Sequence, residues 1–202
     1  MEKNNLKVQN VVATVNLDTK LDLYHITKKT KRSKYNPQRF AAVTLKIPRP
    51  RTTALVFSTG KMVVTGSKNE AEAHRATRMF AKKIQRLGYN IAFLNFKIQN
   101  IVSTFSMKAT LHLERLAFAH STFIRYFFIY FIFFSIHHLL IKNKNRYDPE
   151  LFTGLNYRMT NPSVVFLIFS SGKVIITGAK TTGQAKEAFD KMLPILVNYV
   201  KF

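Results

Sequence analysis

The chain has 202 residues, with 32 Lys and Arg against 10 Asp and Glu, a formal charge of +22, and no cysteine. The missing cysteine excludes disulfides and Cys-based zinc sites and points to a reducing intracellular compartment. The charge selects a polyanionic partner, nucleic acid ahead of an anionic membrane surface, because +22 far exceeds what solubility needs.

In chain order, the start Met-Glu-Lys-Asn-Asn lacks the apolar run of a signal peptide. Strands are expected at 7–15, 38–47, 53–58 and 61–65, rich in Val, Ile, Phe and Thr, with a short helical stretch near 20–31. Gly60 sits in a tight Ser-Thr-Gly-Lys hairpin turn. A helix follows, with Asn69 as N-cap and Glu72 as its capping-box partner, and an apolar stripe of Ala73, Ala76, Phe80, Ile84 and Leu87. Then the pattern restarts: a strand at 92–105, a helical stretch near 111–122, and strands at 155–160, 163–170 and 173–177. Gly172 marks the second Ser-Ser-Gly-Lys turn, and a helix opens at Thr181 with Gln184 as partner and Ala185, Ala188, Met192, Leu196 and Tyr199 as its stripe.

The restart is an internal repeat. Residues 57–68, Phe-Ser-Thr-Gly-Lys-Met-Val-Val-Thr-Gly-Ser-Lys, return at 169–180 as Phe-Ser-Ser-Gly-Lys-Val-Ile-Ile-Thr-Gly-Ala-Lys, an offset of 112. An earlier pair, Gln-Asn-Val-Val-Ala-Thr at 9–14 and Gln-Asn-Ile-Val-Ser-Thr at 99–104, repeats at an offset of 90. The second half therefore carries 22 extra residues between position 104 and the later motifs. Each half reads β-α-β-β-β-β-α once that excess is set aside.

Strand side chains alternate. Val11, Ala13 and Val15 are expected to pack on the helices, so Asn10, Val12 and Thr14 face the other way. The same parity groups Leu55 and Phe57, Val63 and Thr65, Asn100 and Val102, Val165, Leu167 and Phe169, and Ile175 and Thr177. This second face is apolar, carries hydroxyls and two amides, and has no charge at any of these positions. Too few helices remain to bury it under a second layer, and an apolar face of that size marks a binding surface. The DNA minor groove fits it. A·T pairs offer only acceptors there, whereas G·C adds an amino donor. Asn and Thr can donate to those acceptors, and Val and Leu leave no partner for the amino group. Arg39, Lys46, Arg51, Lys61, Arg158, Lys173 and Lys180 lie at the periphery, placed to meet phosphates.

Several motifs together resemble the TATA-box-binding protein core family: Gln9-Asn10-Val11-Val12, Tyr35 to Val43, Pro50 to Leu55, Ser58 to Gly66, Phe96 to Val102, Pro149-Glu150-Leu151-Phe152 and Ser171-Gly172-Lys173. The likeness runs from about 7 to 201 with one interruption. It implies an α+β fold, with two pseudo-symmetric β-α-β-β-β-β-α repeats forming one curved antiparallel sheet, a saddle, with helices on its convex face. The first repeat is residues 1–91, the second 92–202, interrupted at about 124–146. The resemblance further implies four groove-wedging phenylalanines, Phe40 and Phe57, Phe152 and Phe169; minor-groove kinking by this family is the established example of such wedges. It gives Asn10, Asn100, Thr65 and Thr177 the central hydrogen bonds, and Val12, Leu55, Val63, Val102, Val165 and Leu167 the groove floor. Asp148, Glu150 and Leu151 fall where transcription factor IIB docks, and helix 69–87 where factor IIA and other regulators bind. Double-stranded TATA DNA, TATA-binding-protein-associated factors and the RNA polymerase machinery are the implied partners, and the nucleus the implied location. No cofactor and no small-molecule substrate are expected. The sequence departs from the family at Lys46-Ile47-Pro48-Arg49-Pro50, which loses an acid and gains a proline, at Thr153, and at Phe105-Ser106-Met107.

No nucleophile–base set, phosphate loop or paired carboxylate appears, so no enzyme is expected. Adjacent His137 and His138 have no ligand companions. Lys28-Lys29-Thr30-Lys31-Arg32 reads either as a solvated helix end or as a nuclear-import signal. A related fold serves as a non-catalytic domain in some DNA glycosylases and ribonucleases H, but this chain ends at Phe202 with no catalytic domain attached. A divergent paralogue and a mis-spliced product with a membrane-prone insertion are the other readings. Residues 126–136 hold seven aromatics among eleven, and Arg125 and Lys142 bracket only 16 residues, short of the roughly 20 a membrane-spanning helix needs. The segment is read as a retained in-frame intron or gene-model error in an A+T-rich genome, with a genuine family insertion as the alternative.

Overall fold

The computed structural model describes residues 6–120 and 154–201. The insertion at 124–146, His137, His138, Asp148, Glu150, Leu151 and Phe152 therefore lie outside the described residues. The elements are β1 (Lys7–Asn16), α1 (Leu23–Lys29), β2 (Ser33–Asn36), β3 (Phe40–Pro48), β4 (Arg51–Phe57), β5 (Lys61–Ser67), α2 (Glu70–Gln85), β6 (Leu94–Ser106), α3 (Leu113–Ala119), β7 (Gly154–Met159), β8 (Val164–Phe169), β9 (Lys173–Ala179) and α4 (Thr182–Val197). The fold is α+β, its strands forming one antiparallel sheet in the order β2-β3-β4-β5-β1-β6-β9-β8-β7. The first half has the expected β-α-β-β-β-β-α order. Its extra strand, β2, is Ser-Lys-Tyr-Asn, too polar to show as a strand in sequence, and it stands at an end of the strand order with β3 as its single neighbour.

Compactness divides the chain into Val8–Ser103 with Gly178–Ala185, and Met1–Lys7 with Thr104–Thr177 and Lys186–Phe202. These units do not coincide with the repeats, because the first ten residues of β6 pack with the first half, where β1 is its neighbour.

In the Val8–Ser103 unit, alternate residues of the strands are fully buried: Val11 and Ala13, Ala54 and Val56, Met62 and Val64. Helix α2 lays Ala76, Phe80 and Ile84 on that side, and Leu17, Leu23 and Ile26 from β1's end and α1 close the core. The stripe spacing of three and four residues is what puts these side chains on one helical face. In the other unit the same alternation buries Leu155, Val164, Phe166, Ile168, Val174 and Ile176, with Met192 and Leu196 from α4. Phe105 meets Phe189 edge to face at 4.8 Å.

Both long helices start as the capping signals require, with one difference from the reciprocal box. Asn69 Oδ1 accepts the N–H of Glu72 at 2.7 Å, while Glu72 Oε2 reaches back one residue further, to the N–H of Lys68 at 2.6 Å. Thr181 Oγ1 and Gln184 Oε1 repeat this on the N–H groups of Gln184 and Lys180. The helices end earlier than their apolar stripes, so Leu87 and Tyr199 lie beyond them, and α2 stops before Gly88 at φ +95°.

Candidate nucleic-acid interface

Each β-hairpin is locked to the loop that follows the first strand of its half. In the first half, Leu17 N–H donates to Gly60 O and Leu21 N–H to Ser58 O, both at 2.9 Å. In the second, Met107 N–H donates to Gly172 O at 2.9 Å and Leu111 N–H to Ser170 O at 2.8 Å. These four bonds obey the same offsets as the sequence repeat. Both turn glycines have φ near +80°, at +83° and +78°. A Cβ on Gly60 would stand 2.4 Å from Thr19 O, and one on Gly172 2.1 Å from Ala109 O, so only glycine allows the turn to seat. Phe57 and Phe169 end the strands that enter these seated turns.

At the positions its parity named, the face opposite the core is uncharged. Asn10, Val12, Thr14, Leu55, Phe57, Val63, Thr65, Asn100 and Val102 in one unit are all half-buried, as are Val165, Leu167, Phe169, Ile175 and Thr177 in the other. Strand pairing sets these side chains in rows. Thr14 pairs with Val63, Val63 with Leu55, and Leu55 with Thr44, a row across four strands. A second row runs Thr65, Thr53, Lys46, and its counterpart runs Thr177, Val165, Arg158. The second row and its counterpart are neutral until their last member, which is an exposed cation on β3 or β7, while the first row ends in the half-buried Thr44. Thr44, Thr53 and Asn156, paired with Leu167, join the face through these registers. The spacing of Thr53 from Leu55 carried that signal; Thr44 and Asn156 required the pairing itself.

Phe40 and Phe57 meet edge to face, with ring centroids 5.9 Å apart and planes at 80°. They are brought together because Ala42 pairs with Phe57, leaving Phe40 one diagonal step away. Phe169 pairs with Gly154, the residue two after Phe152 in sequence. Arg39, Lys46, Arg51, Lys61, Arg158, Lys173 and Lys180 are all exposed.

The polar atoms on this face are held in position. Gly66 N–H donates to Asn10 Oδ1 at 2.7 Å, and Asn10 Nδ2 lies 2.9 Å from Thr65 Oγ1. Gly178 N–H donates to Asn100 Oδ1, also at 2.7 Å. Gln99 Nε2 donates to Thr14 Oγ1 at 2.7 Å. Chemically the arrangement offers flat apolar contact, amide and hydroxyl donors, an aromatic pair, and cations at the margin. Among the described residues no cluster of three His, Asp or Glu could hold a metal, and no helix is long and apolar enough to cross a membrane.

A family model described as "Transcription factor TFIID (or TATA-binding protein, TBP)" matches residues 5–87 and 134–199. The chain is 46% identical over 194 residues to a TATA-box-binding protein of Candida albicans, covering 96% of this chain and 73% of that one. It is 45% identical over 194 residues to the Schizosaccharomyces pombe TATA-box-binding protein, covering 96% of this chain and 75% of that one. A TATA box-binding protein-like 2 of Mus musculus is 46% identical over 195 residues, and the chain spans 50% of its length. Among solved structures, Methanococcus jannaschii TBP superposes with a TM-score of 0.73 at 29% identity, covering 96% of this chain and 99% of that one.

Proposed function

Because the chain belongs to the TATA-binding-protein family, we propose that it binds A·T-rich promoter DNA through the minor groove, bends it, and so nucleates assembly of the transcription pre-initiation complex. The observation that carries this reading is the neutral, half-buried face, one row of which in each half ends in a cation, Lys46 or Arg158. A neutral floor suits the base edges of a groove, and the cations at Lys46 and Arg158 suit the phosphates beside it.

Phe57 and Phe169, each at the root of a seated hairpin, supply the wedges, with Phe40 and Phe152 as their companions. Each pair opens one base step, and opening costs a few kcal/mol that the enlarged contact offsets. Asn10, Thr65, Asn100 and Thr177 donate to base acceptors; Val12, Leu55, Val63, Val102, Val165 and Leu167 exclude the guanine amino group. Residues 1–91 and 92–202 act as two repeats of one DNA-binding device. Factor IIB at Asp148, Glu150 and Leu151, factor IIA along α2, the associated factors and the polymerase machinery are the protein partners, in the nucleus.

The test is affinity and bend angle for a TATA duplex and a G·C-substituted duplex across a salt series. Preference for TATA at every salt, with affinity falling steeply as salt rises, is the expected result. Equal affinity for both duplexes at all salts would sink the sequence-reading claim.

A further inference from the structure

Gly66 and Gly178 occupy matching places in the two repeats, each after the threonine of a Thr-Gly pair, and each holds the side-chain oxygen of a matching asparagine. A backbone N–H can only donate. The atom 2.7 Å away in each case is therefore the amide oxygen, and the amide's other end is its NH2. Both glycines have positive φ, +108° and +98°. A Cβ at Gly66 would stand 2.7 Å from Arg51 O, so the N–H is brought to Asn10 by a backbone path that other residues cannot follow.

We propose that Gly66 and Gly178 are specificity-positioning residues that lock the polarity of Asn10 and Asn100, so that the face meets DNA with amide donors and not amide acceptors. This rests on the minor-groove reading above. An unrestrained asparagine can turn its amide over and accept from a guanine amino group as readily as it donates to adenine N3 or thymine O2. The lock removes the first option. To offer its oxygen to guanine, Asn10 must release Gly66 N–H, leaving a half-buried donor without its partner. In the Val8–Ser103 unit the effect extends one group further, because Asn10 Nδ2 lies 2.9 Å from Thr65 Oγ1. Thr65 Oγ1 also lies 3.1 Å from Asn10 Oδ1, so the hydroxyl and the Asn10 amide are held together as one group.

The experiment uses the full chain and three duplexes alike except at one central pair, which is A·T, G·C or inosine·C. Inosine lacks the amino group, so the G·C to I·C ratio of affinities isolates the response to that group. The wild-type protein is expected to bind A·T and I·C comparably and G·C more weakly. In Gly66→Ala and Gly178→Ala the G·C to I·C gap is expected to narrow about tenfold, the scale of one directional base contact. Because either variant can fail to fold, the wild-type bond is also read directly, as the NMR coupling across the hydrogen bond from Gly66 15N to Asn10 13Cγ, and from Gly178 to Asn100. The couplings are expected in the free protein and to persist with A·T DNA bound. Absent couplings, or folded variants that keep the wild-type gap, overturn the lock while leaving the groove reading intact. A wild-type protein indifferent to all three duplexes overturns the groove reading itself.

Discussion

Helix α2 buries Ala73, Ala76, Phe80 and Ile84, and α4 buries Ala185, Ala188, Met192 and Leu196, the same positions at an offset of 112. Their exposed sides are unlike. Past its first turn α2 carries Arg75, Arg78, Lys82 and Lys83 with no acid among them, and none of these is ion-paired among the described residues. Arg78 instead lies over the Phe93 ring at 4.9 Å. On α4, Lys186 pairs with Asp190 and Lys191 with Glu187, each at 2.6 Å, so its charges cancel locally. The starts differ as well. Glu70 and Glu72 stand in the first turn of α2, while α4 has no acid there, and Glu70 Oε1 accepts the N–H of Thr182, its own repeat counterpart. The comparison separates two kinds of constraint. What a helix buries is set by the sheet beneath it and stays paired across the repeat. What it exposes is free to diverge, as the uncompensated cations of α2 and the paired charges of α4 show.

The sharpest way to break the symmetry of function is at the hairpins. Phe57→Ala and Phe169→Ala are expected to reduce the bend of a TATA duplex far more than Lys61→Ala and Lys173→Ala. On the proposed roles, the first pair would remove a group that holds open a step costing a few kcal/mol, and each of the second would lower the salt slope by about one. Fluorescence measurement of bend angles decides it, and lysine variants that bend DNA less than the phenylalanine variants would refute the wedges.

In the core, Phe80→Ala is expected to cost about 3–5 kcal/mol and Met192→Ala about 2–5 kcal/mol, since both leave cavities at fully buried sites. Urea unfolding measures both. A Phe80 variant losing under about 1 kcal/mol would show that α2 is not the lid of its unit.

A smaller effect tests the repeat against itself. Ser103 and Ser67 are fully buried, and their hydroxyls have no partner among the described residues. The matching positions in the other repeat are Ala13 and Ala179, also fully buried. Ser103→Ala and Ser67→Ala are expected to stabilise by about 1 kcal/mol, and Ala13→Ser and Ala179→Ser to destabilise by about 1–3 kcal/mol. Opposite signs in thermal melts would mean the hydroxyls have partners.

The smallest effect belongs to the exposed ion pairs of α4. Lys186→Ala should cost no more than about 0.5 kcal/mol, and a larger loss at low salt would promote these pairs from surface ornament to structural support.

Much of this was legible in the sequence because the repeat supplied its own control. The Ser-x-Gly-Lys turns, the helix stripes and the strand parity each occurred twice, and all three are short-range patterns. Strand β2 was not legible, since Ser33, Lys34, Tyr35 and Asn36 have no alternation to display and pair through β3. The grip of Gly66 on Asn10 spans 56 residues, so no local pattern announces it, although the doubled Thr-Gly at 65–66 and 177–178 was a usable sign. The rows ending in Lys46 and Arg158 likewise exist only once register is known. For the insertion at 124–146, sequencing mature transcripts is the direct test: if its codons are absent from all of them, the segment is an artefact.

The seated hairpins have a mechanical side. A side chain that forces stacked bases apart is pushed back by those bases, and a hairpin cantilevered into solvent would yield. On the proposed role of Phe57 and Phe169, such a load would pass within three residues into the turn at Gly60 or Gly172, and from there through backbone hydrogen bonds into Leu17 and Leu21, or Met107 and Leu111. Leu17, Leu21 and Leu111 are buried. In the proposed binding mode each wedge would thus be braced, through its hairpin glycine, against residues of its own half.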